Sequence, residues 1–437
     1  MPGRLLRAPF LHAPLLRASL LGVVVLLAAC SLPNVGLWSG KGVADTGLYG
    51  QYGHRIMQGA VPYRDFTVEF PPGALPALVL PDVVHAHYVA GFHAFQFVCA
   101  ALCIVLLAWT LVGVGASRRR LYAAVTLAGL APAALGPITL NAFDFWPALL
   151  SVAAVALVVN RKEWAGLACL GLATAAKVFP AALLPLLLAY VWQRAGGGRA
   201  GRRAAAWAAG AYLAAGAVVT LPFLAVAPGG LGFSLELQLK RHLQVESLGA
   251  SLLVTLHHLG ATTTRVVVGT PYSLDLAGGA ADAIAALTTV LSVAAVLLAL
   301  LAWARATGAA RDGADPRERL LLAVAATVTG LVAFGRVLSP QYLVWLVPLV
   351  AMTAPRRAAS AWALLAVALG LTQVWFPGRF FEVVHLQGAG WVVLARNLVL
   401  AGVYFALLAP LVREAGGLAA LVRLPRRRGT SRAATTA

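Results

Sequence analysis

Nine stretches of this chain are apolar and long enough to cross a hydrocarbon core of about 30 Å: 15–32, 89–113, 121–138, 143–159, 204–225, 282–303, 319–335, 358–376 and 390–412. Three shorter ones, 165–176, 178–192 and 341–353, are flanked as short or tilted crossings are. In lipid every backbone polar group must be satisfied internally, which leaves helices or a closed barrel. A barrel needs alternating segments of about ten residues, and these runs are unbroken. The reading is an all-α polytopic membrane protein with twelve transmembrane helices, give or take two. Composition agrees: 60% of the 437 residues are hydrophobic and 11% charged, against about 45–50% and 25% in soluble domains. A water-soluble enzyme, a disordered chain and a disulfide-rich scaffold are excluded. Cys30, Cys99, Cys103 and Cys169 lie in apolar stretches, without metal-ligand or disulfide spacing.

The net charge of +19 would suit nucleic acid, but its distribution does not. With the N-terminus inside, clusters at Arg4, Arg7 and Arg17, at 118–120, 161–162, 194–203, 305–319 and 356–357, and in the tail all fall on the cytoplasmic side. That is the positive-inside pattern, and such charge contacts anionic lipid. No nucleic-acid partner is expected. Both termini are then cytoplasmic, and two long segments, 33–88 after the first span and 226–281 after the seventh, lie outside. Residues 1–422 read as a single membrane domain, and 423–437 as a basic, disordered tail. Leu27 to Cys30 also looks like a lipoprotein cleavage box; an uncleaved first span is the preferred reading.

Loops this long between membrane helices are commonly functional. In the first, Asp45 stands near the outer end of the first span. It suits either a general base toward a hydroxyl or the cap of a helix starting at Thr46; residue types alone favour the cap. Arg64, Asp65 and Glu69 read as a local ion-pair lattice, and Gly73 as a sharp turn. Lys177 sits at a break between two short spans, where a lone ammonium is costly unless paired or wetted; the alternative is a snorkelling interfacial lysine. Arg336 can anchor an interface or meet an anion. Arg241 and His242 can pair with Glu246 or bind phosphate, and Lys240 adjoins them. The histidines, among them the 85/87 and 257/258 pairs, lack the ligand spacing of a zinc site, and no divalent metal is expected.

These pieces resemble a known family. Asp45-x-x-x-Tyr49, PYRDF and EFPPG in the first loop, FDFWPALL at 143–150, KVFP at 177–180, RHLQVESLGASLL at 241–253 and GRVLSPQYLVWLVPL at 335–349 are similar, in order, to glycosyltransferase family 87. This is a GT-C family that includes actinobacterial alpha-mannosyltransferases using polyprenyl-phosphate-mannose. Phe70 stands where the family has Tyr, and Val178-Phe179 fills a variable spacer. The resemblance implies that Asp45 is the catalytic base and reverses the preference for a cap. It implies an inverting transfer from a polyprenyl-phosphate sugar donor to a glycolipid or lipoglycan acceptor at the outer face of the plasma membrane, with no cofactor. Tyr49, Arg64, Glu69, Lys177, Arg241, His242, Glu246, Arg336 and Gln341 are the expected substrate-binding residues. A lipid-linked sugar flippase, or a non-catalytic cell-envelope scaffold, is the alternative. A carrier of that kind would show broken helices in corresponding halves, and the sequence displays one such element, at 165–192.

Overall fold

The computed structural model describes residues 13–32, 45–269, 273–309 and 315–422, apart from the side chains of 84–86. The sequence features at Arg4, Arg7, Lys41, Arg311 and 423–437, and the side chain of His85, lie outside them. The described chain is overwhelmingly helical. Six helices are long and apolar enough to cross a membrane: Ala13–Ser31, Tyr88–Gly113, Gly198–Val226, Gly279–Ala309, Pro355–Trp375 and Ala389–Glu414. Such a protein is membrane-embedded. Between them run the helices Arg118–Leu135 and Pro316–Phe334 and the shorter Phe145–Val159, Glu163–Ala176, Leu184–Arg194 and Leu343–Ala351.

Two of the short helices adjoin a break that carries a proline-led 3₁₀ turn. The Glu163–Ala176 helix stops at Lys177, whose backbone is extended (φ −158°, ψ 138°). Pro180 then enters a 3₁₀ turn, Phe179–Leu183, before Leu184–Arg194. The same device recurs at Pro340, in the 3₁₀ turn Pro340–Tyr342 ahead of Leu343–Ala351. A proline donates no N–H, so a helix does not run on through it. Ser339 ahead of Pro340 is extended (φ −113°, ψ 152°), as the residue preceding a proline commonly is. At the first break the extended residue is instead Lys177, three positions before Pro180. The broken ends meet face to face, with Phe179 stacked on Trp345 at 3.8 Å.

The Pro316–Phe334 and Leu343–Ala351 helices are buried along nearly all their length and form the centre of the bundle. Gly198–Val226 lies at the rim, packed on Glu163–Ala176. It exposes Trp207, Leu213, Val218 and Leu221, as a helix bathed in lipid does. The Ala13–Ser31 helix packs on Tyr88–Gly113 and Arg118–Leu135.

At one end of the bundle arginines pair with acids across helices. Arg120 binds Glu318 and the Met352 carbonyl. Glu414 accepts from Arg319 and Arg357, each at 2.6 Å, and Arg194 pairs with Glu163. At the other end the two long segments fold over the helix termini. The second adds a small antiparallel sheet to the helical fold: β1 (Leu243–Gln244), β2 (Arg265–Val268) and β3 (Leu274–Ala277), in the order β1-β3-β2.

The first loop is clamped onto this end. Tyr63 takes a positive φ of 67°, its hydroxyl donates to the Phe70 carbonyl at 2.6 Å, and Asp65 closes the turn by accepting from Val61 N–H at 2.7 Å. Gly73 corrects an expectation. It lies in the 3₁₀ turn Pro72–Ala74, and a Cβ there would come within 2.5 Å of the Ala175 and Ala176 backbone. Glycine is required for close approach of two segments of the backbone rather than for a sharp turn. Trp146 Nε1 fixes the contact by donating to the Gly73 carbonyl at 2.8 Å.

Candidate functional site

Where the clamped loop, the sheet and the broken helices converge lies a cavity of about 260 Å³. Asp45 borders it at the first turn of the Thr46–Met57 helix. Asp45 occupies the N-cap position, yet its side chain makes no capping hydrogen bond. Its carboxylate instead accepts from Tyr49 Oη, one turn on, at 3.1 Å. Burial raises the Asp45 pKa, and Asp144 adds to the rise; the Tyr49 hydroxyl and the Lys177 charge work against it. Tyr49 is fully buried, with its own pKa pushed up by burial and the nearby carboxylates. It therefore stays protonated and serves as the donor.

Aromatic rings connect this carboxylate to the cation opposite. Tyr49 meets Phe143 edge-on at 5.8 Å, and Phe143 in turn faces Lys177 Nζ, 4.9 Å from the ring centre. Tyr342 and Trp345 close the other sides of the ammonium at 4.8 and 4.9 Å. Asp144 accepts from Lys177 Nζ at 2.7 Å and from Trp345 Nε1 at 2.9 Å on the same oxygen. A half-buried ammonium is thus held by one carboxylate and three π faces, and it borders the cavity.

The far wall carries Glu69, Arg241, Gln244, Glu246, Ser339 and Gln341. Glu246 is buried; its Oε2 accepts from Gln244 Nε2 at 3.0 Å and from Ser339 Oγ at 3.1 Å. Its main-chain carbonyl accepts from Arg396 and Asn397, both at 3.1 Å, on the Ala389–Glu414 helix. Burial pushes the Glu246 pKa up to about 7, opposed mainly by Arg396. Glu69 is likewise pushed up to about 7 by burial, helped by Asp45 and opposed by Arg241 and Lys177.

Of the residues expected at the site, Asp45, Tyr49, Glu69, Lys177, Arg241, Glu246 and Gln341 line the cavity. Arg64, His242 and Arg336 do not. Arg64 is exposed and bonds Asp65 at 2.8 Å. Half of the expected ion-pair lattice forms there, while Glu69 turns into the cavity instead. His242 is exposed beside Arg241, as neighbours in an extended segment face opposite ways. Arg336 donates to the Leu239 carbonyl. Asp144, Phe143, Tyr342 and Trp345 were not on the expected list. The signal for Asp144 was present: a lysine at membrane depth needs a carboxylate, and FDFWP carries one. Among the described residues no three His, Cys, Asp or Glu side chains converge as a metal-binding group. No protein-family model and no curated protein sequence matches this chain.

Proposed function

We propose that the protein is a GT-C-type integral membrane glycosyltransferase with about twelve helices, both termini cytoplasmic and the cavity on the outer face of the plasma membrane. The resemblance to family 87 supplies the reaction class. The observation that carries it is the Asp45 carboxylate, released from capping, hydrogen-bonded to Tyr49 and set across the Tyr49–Phe143 rings from a caged Lys177.

In this reading Asp45 takes the proton from the acceptor hydroxyl as its oxygen bonds to the sugar C1. The C1–phosphate bond breaks with its electron pair leaving on the lipid phosphate, and attack from the opposite face inverts C1. Partial burial brings the Asp45 pKa toward working pH, which strengthens it as a base. Lys177 and Arg241 are the cations available to the departing phosphate. Glu69, Glu246 and Gln341 are placed to bind sugar hydroxyls, and Phe376 and Phe380 supply apolar ring faces at the rim. The donor is polyprenyl-phosphate-mannose; the acceptor is a glycolipid or lipoglycan.

One observation favours a second reading. The breaks at Lys177 and Pro340 fall in the two halves of the chain and meet at the cavity, as discontinuous helices do in carriers. A lipid-linked sugar flippase would use the same cavity without forming a bond.

The test is transfer from radiolabelled polyprenyl-phosphate-mannose to host lipid extract by the reconstituted protein and its Asp45→Asn variant. The expected result is labelled product with wild type and a fall of about 10²- to 10⁴-fold in turnover with Asn. Equal rates would remove Asp45 from the chemistry. Donor translocated without product would establish the flippase.

A further inference from the structure

A second, larger cavity of about 1000 Å³ opens at the arginine-rich end of the bundle. Three helices run from one site to the other. Arg118–Leu135 starts at this groove and leads to Ile138 and Phe143; Pro316–Phe334 leads to Ser339 and Gln341; Pro355–Trp375 leads to Phe376 and Phe380. At 1.5 Å per residue these helices are about 27–32 Å long, which matches the hydrocarbon core. The groove therefore lies at the opposite interface from the candidate site.

Its walls carry Arg119, Arg120, Arg356 and Arg357 against two acids, Asp315 and Glu318. The acids are already engaged. Glu318 takes Arg120, Asp315 takes Arg317 at 2.7 Å, and Arg357 is held by Glu414 from outside the groove. Arg119 and Arg356 are exposed and, among the described residues, make no ion pair. All four arginines sit in the first turn of Arg118–Leu135 or Pro355–Trp375. Cations there face the positive ends of the helix dipoles. Such an arrangement is relieved by a bound anion. Apart from Ser117 the remaining wall is apolar, with Val114, Ala116, Ala123, Pro355 and Trp362 in it, and an indole beside guanidinium groups is a typical interfacial pairing.

We propose that this groove binds the phosphate of an anionic phospholipid, with Arg119 and Arg356 contacting the phosphate oxygens and the Trp362 wall taking the start of the acyl region. The proposal is independent of the glycosyltransferase reading.

The experiment titrates the full-length protein in neutral detergent with phosphatidylglycerol, phosphatidylcholine or inorganic phosphate. Bound lipid is counted by native mass spectrometry and thermal unfolding is followed in parallel. Wild type is compared with Arg119→Gln/Arg356→Gln and with a control, Arg199→Gln/Arg203→Gln, which removes equal charge from the same end on the Gly198–Val226 helix. The expected result is tighter binding of phosphatidylglycerol than phosphatidylcholine by wild type and control, weakened roughly 10- to 30-fold in the first variant. Among the described residues neither the Arg119 nor the Arg356 side chain makes a hydrogen bond or ion pair, so that variant is expected to unfold at the wild-type temperature without lipid. Inorganic phosphate matching the lipid's effect in wild type would overturn the lipid assignment. Equal losses in the control and groove variants, or none in either, would overturn the site.

Discussion

At the scale of single residues, the cavity separates its carboxylates by environment. Asp144 is bonded to Lys177 and Trp345, whereas the Glu246 carboxylate is buried with only the neutral donors Gln244 and Ser339 bonded to it. Burial pushes it up to about 7 from an ordinary 4.5, against the pull of Arg396. A carboxyl whose pKa is higher in the folded than in the unfolded chain favours folding while it keeps its proton. That stability is complete below the unfolded value, about 4.5, and is lost as pH rises through about 7. For Glu246 the loss is on the order of 3 kcal/mol. Thermal unfolding in detergent is therefore expected to show a falling transition temperature between pH 5 and 8, with a shallower slope in Glu246→Gln. An unchanged slope would mean that another group sets the dependence. At this scale residue chemistry constrained only part of the site. A lone Lys177 at membrane depth demands a partner or water, which Asp144 and the cavity edge supply, whereas residue types alone favoured a cap for Asp45, which makes no capping bond. Such reasoning rests on residue type and depth. It did not reach Arg64, His242 and Arg336, because the direction of a side chain in a turn or extended segment follows from backbone angles that composition does not reveal.

At the scale of elements, the decisive features are breaks and close approaches rather than helices. The apolar runs announced the six long apolar helices, and the break at Lys177 was legible too, while the one at Pro340 was not. What stayed hidden is that the two breaks face each other across Phe179 and Trp345, since nothing local couples residues so far apart in the chain. The small sheet was hidden too: its strands are two to four residues long, too short for a period-two pattern. The close approach at Gly73 gives a test of whether the first loop is locked in place. Gly73→Ala drives a methyl into the Ala175–Ala176 backbone and is expected to destabilise by about 1–3 kcal/mol. Gly47→Ala, where a Cβ meets nothing within 4 Å, is expected to be neutral or stabilising by up to about 1 kcal/mol. Thermal unfolding of the two variants compares them directly. Since the same loop presents Asp45 and Glu69, Gly73→Ala is also expected to lower transfer activity, and Gly47→Ala to lower it less. A Gly73→Ala protein as stable as wild type would mean that the loop can retreat from the helix.

At the scale of the whole molecule, the two ends of the bundle differ in kind. One is an arginine-rich face whose acids are used up in ion pairs, most of them between helices; the other encloses a cavity in which Asp45, Glu69, Asp144 and Glu246 meet Lys177 and Arg241. In the proposed topology the positive-inside rule puts the first in the cytoplasm and hence the second outside. This bears on the proposed function, because only an outward cavity suits acceptors displayed on the cell surface. Thr67 is exposed on the clamped loop, and Ala200 is exposed on the Gly198–Val226 helix near its basic start. In a background with Cys30, Cys99, Cys103 and Cys169 replaced, Thr67→Cys is expected to react with a membrane-impermeant maleimide in intact cells. Ala200→Cys is expected to react only after permeabilisation. The reverse pattern would turn the molecule over and place its cavity beside cytoplasmic nucleotide sugars. Polyprenyl phosphate would then lose its rationale as the carrier, because a lipid-linked donor is needed only where soluble activated sugars do not reach.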